Sequence, residues 1–156
     1  MAFVAKKSGV FRGQNTISVK KTLKNVNTRT GSYVKIKMVL YMKIFNPFEN
    51  SFSDVKETDL TKLNNVSEGW NVEYKKEKQN GKSIAKSVSS FANSHGGLYF
   101  VGIESNNNLP VNFDGVKDSP DIVRDSVRGN VQPFPYFKTH IISLKNGNHI
   151  LMVVIP

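Results

Sequence analysis

The chain has 156 residues, with 22 Lys or Arg against 12 Asp or Glu, a formal charge of +10 and no cysteine. That length suits one domain able to bury roughly 70% of its unfolded surface. No apolar run reaches the roughly eighteen residues of a membrane helix, and the lack of cysteine excludes disulfides, zinc–thiolate centres and thiol catalysis and fits a reducing, cytoplasmic setting.

The charge is unevenly placed. Residues 1–48 hold ten Lys or Arg and no acid, whereas residues 49–156 hold twelve of each sign. The excess therefore sits in an N-terminal arm. Three readings of that arm stay open: a basic tail that neutralises phosphates, an organelle-targeting segment, or upstream sequence before a natural start at Met38 or Met42. The targeting reading sits poorly with an arm in which Lys outnumbers Arg.

Within the arm, "VKIKMVLYMKIF" at 34–45 has the alternation and β-prone apolar content of a strand. "NPFENSFSD" at 46–54 is turn-rich and marks a boundary, giving an arm over 1–48 and a domain over 49–156. A short helix is expected at 55–64 from Val55, Leu60 and Leu63. "WNVEYKKE" at 70–77 alternates Trp70, Val72 and Tyr74 with polar residues, the pattern of a half-buried strand. Trp70 and Tyr74 could stack on bases, but their spacing reads as core.

Residues 82–94 place Ile84, Ala85, Val88, Phe91 and Ala92 on one helix face, and Gly96-Gly97 stops that helix. "LYFVGI" at 98–103 is a strand covered on both faces, and "ESNNNLPVNFDG" at 104–115 is loop. Ser119 as N-cap, Pro120 at the first helical position, Arg128 in the last turn and Gly129 beyond it define a helix. Strands at 136–144 and 149–155 surround Asn146-Gly147, a favoured two-residue hairpin turn. These elements predict an α/β (α+β) fold, a mixed sheet with packed helices and a C-terminal β-hairpin. The chain stops on "ILMVVIP", inside a core-like strand, so the natural protein is expected to continue past Pro156.

The chemistry-bearing residues cluster around the strand at 70–77. Glu68 and Glu73 would face opposite ways in a regular strand, but a bulge at Gly69 can bring both carboxylates together. Two converging carboxylates suit Mg²⁺ or Mn²⁺, which polarises phosphate and activates water; Lys75 would hold the phosphate as a point charge. Alternating charges on a solvent-facing strand explain the same residues without function. Lys82 with Lys86, and Arg124 with Arg128, share helix faces at i, i+4 and can contact phosphates, as solvated faces also would. His95, His140 and His149 lack metal-ligand spacing, and "GGLYFVG" lacks the spacing of a phosphate loop.

Three motifs in order, "EGWNVEYK" at 68–75, "FANSHGG" at 91–97 and "GIE" at 102–104, together with the closing hairpin, make residues 66–156 resemble the Schlafen AlbA-like domain family. The resemblance implies an α/β domain that binds nucleic acid. In the nuclease branch of that family, Glu68 and Glu73 match two acids of a metal-binding triad that cleaves structured RNA. The position matching the third acid is Ser105; Glu104 stands one residue earlier and can replace it only if the strand has ended there.

The leading expectation is a nucleic-acid-binding domain, DNA or RNA, within a longer transcriptional regulator. It would grip the phosphate backbone through Lys75, Lys76, Lys78, Lys82 and Lys86, with Arg124 and Arg128, and need no cofactor. One alternative is a Mg- or Mn-dependent endoribonuclease using Glu68, Glu73 and Glu104 as metal ligands and catalytic groups. Another is a protein-interaction module recruiting a partner to the edge of the 34–45 strand. The expected partner is nucleic acid and not a membrane; a homodimer stays open.

Overall fold

The computed structural model describes residues 17–20, 26–27, 33–34, 39–42 and the continuous stretch 44–156. In the N-terminal part, β1 (Ile17–Lys20) pairs antiparallel with β4 (Val39–Met42), and β2 (Val26–Asn27) pairs with β3 (Tyr33–Val34). Of the strand expected at 34–45, Val34 and Val39–Met42 are strand, Ile44 and Phe45 are not, and residues 35–38 and 43 lie outside the described residues. Most of the basic arm lies outside them too.

From Ile44 onward the chain builds a four-stranded mixed sheet in the order β5-β6-β10-β9. Strand β5 (Val72–Lys75) runs parallel to β6 (Gly97–Val101), and helix α1 (Gly81–Ala92) makes the crossover between them. Strand β10 (His149–Ile155) is antiparallel to both β6 and β9 (Lys138–Ser143). The class is α+β, as the pattern of elements predicts. Among the described residues no helix is long and apolar enough to cross a membrane.

Both faces of the sheet are covered, which explains the unbroken apolar runs of β6 and β10. Side chains alternate between two cores. Leu98, Phe100, Ile150, Met152 and Val154 pack with Val72, Tyr74 and the segment 44–63. Tyr99, Val101, Leu151, Val153 and Ile155 pack with Ile84, Val88 and Phe91 of α1 and Val123 and Val127 of α2 (Asp121–Asn130). Each large side chain fully buried this way is worth about 1.5–3 kcal/mol.

The turn-rich stretch at 46–54 is part of this body. Phe48 is fully buried, and Ile44 nearly so, in the first core, so packing reaches back past residue 49. The helix expected at 55–64 is instead two 3₁₀ segments, Phe52–Asp54 and Glu57–Leu63. Asp59 accepts from the backbone N–H of Lys56 at 3.0 Å, and that bond, helped by Lys62, holds its carboxyl below the usual range. The tight winding presents Leu60 and Leu63 to the core.

Helix α1 is capped by Asn80, whose Oδ1 accepts from the N–H of Ser83 at 2.9 Å. It ends at Ala92, earlier than expected. The two glycines that follow serve a close approach as well as a turn. Gly96 has φ +75°, and a Cβ there would lie 2.5 Å from the carbonyl oxygen of Ile155; a Cβ on Gly97 would lie 2.5 Å from the Phe91 ring. The pair lets β6 start directly against the end of β10.

Helix α2 begins one residue late, with Ser119 Oγ accepting from the N–H of Asp121 at 3.3 Å. The loop expected at 104–115 contains a hairpin, β7 (Glu104–Asn106) and β8 (Leu109–Asn112), turning at Asn107 and Asn108, both with positive φ. The closing hairpin turns through three residues, not two: Gly147 N–H donates to the Leu144 carbonyl, and Leu144 N–H to the Asn148 carbonyl. Gly147, at φ +83°, takes the left-handed position such a loop needs.

Candidate nucleic-acid interface

The three acids of the expected cluster are held apart by separate partners. Gly69 turns the chain back on β5, its N–H donating to the Val72 carbonyl at 2.9 Å. This swings Glu68 along the outer edge of the sheet. There Oε1 accepts from the backbone N–H of Tyr74 at 2.7 Å, and Oε2 accepts from Ser105 Oγ at 3.0 Å. Both oxygens are occupied, and Glu68 satisfies an edge donor that β5 could not pair with another strand. Its own N–H donates to the carbonyl of Asn108, tying the β7–β8 turn to the same edge.

Glu73 projects from β5 on the opposite side to Tyr74. Its Oε1 lies 2.9 Å from Lys75 Nζ, and it lies in register with Tyr99 on β6. Tyr99 is fully buried, and its hydroxyl has no hydrogen-bond partner among the described residues. Burial first, and the charge of Glu73 second, push its phenol above the ordinary value, so it stays protonated.

Strand β6 ends at Val101, before the third acid. Gly102, at φ +102°, and Ile103 both donate to the Lys75 carbonyl, at 2.8 and 3.0 Å, and this break resets the direction of the following side chains. After it, Ser105 faces Glu68. Glu104 instead takes Lys76 Nζ at 3.0 Å and Asn112 Nδ2 at 2.8 Å. The Asn112 bond, then Lys76, holds the Glu104 carboxyl below its usual range, and the same ion pair raises Lys76.

Glu68, Glu73 and Glu104 thus each engage a separate set of partners. Among the described residues no group of three or more His, Asp or Glu side chains is placed to hold a metal ion. The Gly69 turn forms, with Glu68 along the edge of β5 and Glu73 in register with Tyr99. Nor do the histidines supply ligands; the ring of His149 hydrogen-bonds to the Asp118 carbonyl at 2.8 Å.

The expected cations divide into two groups. Lys75 and Lys76 are engaged by Glu73 and Glu104, and Arg124 lies 3.9 Å from Asp121. Lys78, Lys82, Lys86 and Arg128 make no ion pair among the described residues. Lys82 and Lys86 line a depression between α1 and the end of α2 that also includes Ser89, Asn130 and Val131. Val131 also lines a cavity of about 650 Å³ that includes Arg128 and Phe134, and a third of about 380 Å³ reaching Asn93 and Tyr136. No Asp or Glu lines any of the three.

Sequence reasoning missed the aromatic side of this surface. Strand β9 starts at Lys138, not at 136, so "PFPY" at 133–136 is a connector and Phe134 and Tyr136 stay exposed. A ring between two prolines, outside any alternating run, is the signal that was there. Trp70 also departs from its strand-like spacing: it is 84% exposed, because the chain has left the sheet at the Gly69 turn, while Tyr74 is core as its spacing implies. The family described as Schlafen, AlbA_2 matches this chain over residues 68–156. No curated protein matches it.

Proposed function

Because the chain belongs to the Schlafen AlbA_2 family, a membership that suggests a nucleic-acid-related domain, we propose that it binds nucleic acid by gripping the phosphate backbone along α1 and the end of α2. The observation that carries this reading is a groove of neighbouring depressions that share Val131, one lined by Lys82 and Lys86 and the other by Arg128, with no carboxylate in either lining. Cations already paired with acids, such as Lys75 and Lys76, have less charge to offer a phosphate and serve as secondary contacts. Binding of this kind releases counterions, so affinity falls as salt rises, with a slope set by the number of phosphates neutralised.

The test is a salt titration of oligonucleotide affinity for the wild type and for Lys82→Ala/Lys86→Ala. The double variant is expected to bind more weakly on every sequence tried and to reduce the log–log salt slope by roughly one to two. An unchanged slope would remove the groove as the phosphate contact. Charge contacts of this kind position a backbone without reading bases, so the groove itself is assigned no sequence preference.

A further inference from the structure

We propose that the groove takes an unpaired stretch of nucleic acid, with Phe134 and Tyr136 stacking on its bases while Lys82, Lys86 and Arg128 hold its phosphates. The inference rests on the nucleic-acid reading above and adds the class of ligand. Phe134 is 49% exposed and Tyr136 61% exposed, in a molecule whose other phenylalanines from Phe48 onward are buried or half-buried. Exposed rings that border a cationic groove have π-faces any base can use, and such stacking is open only to bases freed from a duplex.

The Phe134 ring is held ready for this. Phe137 packs against the helix-side core, and the Phe134 ring lies against it with centroids 5.5 Å apart and planes tilted by 40°. Pro133 and Pro135 fix the backbone on either side of Phe134, so little freedom is lost when a base docks. The cations run alongside. Lys82, Lys86 and Ser89 of α1 and its C-cap residue Asn93 fall at i, i+4, i+7 and i+11 on one stripe, roughly 16 Å from end to end at the helical rise. The first three line the depression that holds the lysines, and Ser89 and Asn93 line the one that holds Phe134 and Tyr136. Phosphates at one end of the stripe and rings at the other suit a few nucleotides of single strand.

The experiment measures binding of a fluorescein-labelled single strand of about twelve uridines and of an RNA duplex of equal length. The proteins are the wild type, Phe134→Ala/Tyr136→Ala, Tyr136→Ala alone and Tyr136→Phe, each checked for unchanged thermal unfolding. The double variant is expected to lose at least about tenfold in single-strand affinity and to hold its duplex affinity within about twofold. Tyr136→Ala alone, which leaves the Phe134–Phe137 contact in place, should lose severalfold, and Tyr136→Phe should bind as wild type does. Single-strand affinity indifferent to both alanine variants overturns the stacking, as does an equal loss on both probes. If duplex binding with steep salt dependence persists in that case, only this inference falls. Wild type that binds neither probe overturns the nucleic-acid reading as well, and capture of a polyglutamate peptide in place of RNA would reassign the groove to an acidic protein partner.

Discussion

Ser105 Oγ donates to Glu68 Oε2 at 3.0 Å, so the position matching the third acid of the nuclease branch does stand beside the first one, but as a neutral donor. Two hydroxyl-and-carboxylate neighbours make a hydrogen bond where two carboxylates would make a cation site. The consequence is structural: Glu68 becomes the clasp of the β5 edge, held by Ser105 on one oxygen and holding the N–H of Tyr74 with the other.

Glu68→Ala should therefore destabilise the domain by about 1–3 kcal/mol, the cost of leaving a part-buried donor unpaired. Glu68→Gln keeps an acceptor for the Tyr74 N–H and should lose less than about half of that. Urea unfolding midpoints of the two variants check the difference; equal losses would mean that charge, not the acceptor, is what matters.

Structured RNA incubated with the protein and Mn²⁺ should remain intact, with no difference in EDTA or in Glu73→Ala. Glu73 is engaged by Lys75, and Glu68 by Ser105 and the Tyr74 N–H. Gel analysis of end-labelled RNA decides it: Mn²⁺-dependent cleavage abolished by Glu73→Ala would show that the acids regroup when RNA binds.

Three glycines with positive φ should respond to alanine in two ways. Gly147 faces open space, so only its left-handed backbone is strained, at about 1 kcal/mol. Gly96 adds a collision with the Ile155 carbonyl and should lose about 3 kcal/mol or more. Gly102, whose Cβ would lie 2.7 Å from Gly115 Cα, should behave like Gly96. Thermal unfolding of the three variants ranks them.

His140 gives the domain a mild acid sensitivity. Burial, with the charge of Lys138 second, holds its imidazole below the ordinary value. The unfolded chain then binds a proton more readily, so this contribution is present above about pH 6.5 and is lost as the pH falls through the folded value. Glu104 and Asp59, both lowered, lose theirs only in the carboxylate range below. Melting temperatures should thus fall between pH 7.5 and 5.5 in the wild type and less so in His140→Asn.

Much of the fold was legible where one local rule decides the outcome. The alternation Val72-Glu73-Tyr74, the apolar stripe of α1 and the Ser119 start of α2 each gave an element close to its observed limits. The site was less legible because it depends on where the chain leaves the sheet. Trp70 has the strand spacing, but the Gly69–Val72 hydrogen bond turns it outward; Glu104 has the charge, but the Gly102 break aims Ser105 at Glu68 instead. Asn107-Asn108 was a readable signal for the missed hairpin, since asparagine tolerates the left-handed conformation both residues adopt.

Strand β10 occupies the middle of the sheet, between β6 and β9, although it follows every other strand in sequence. On a ribosome, the β5–α1–β6 unit is the first part of this sheet to emerge and must wait for residues 149–155 before β6 gains its second neighbour. Until then the edge of an almost wholly apolar strand is open to any other chain nearby. Order of synthesis and order in space run against each other here, so closure of the sheet is a late, long-range event, and nascent chains stalled before His149 are the species that chaperones would be needed to shelter.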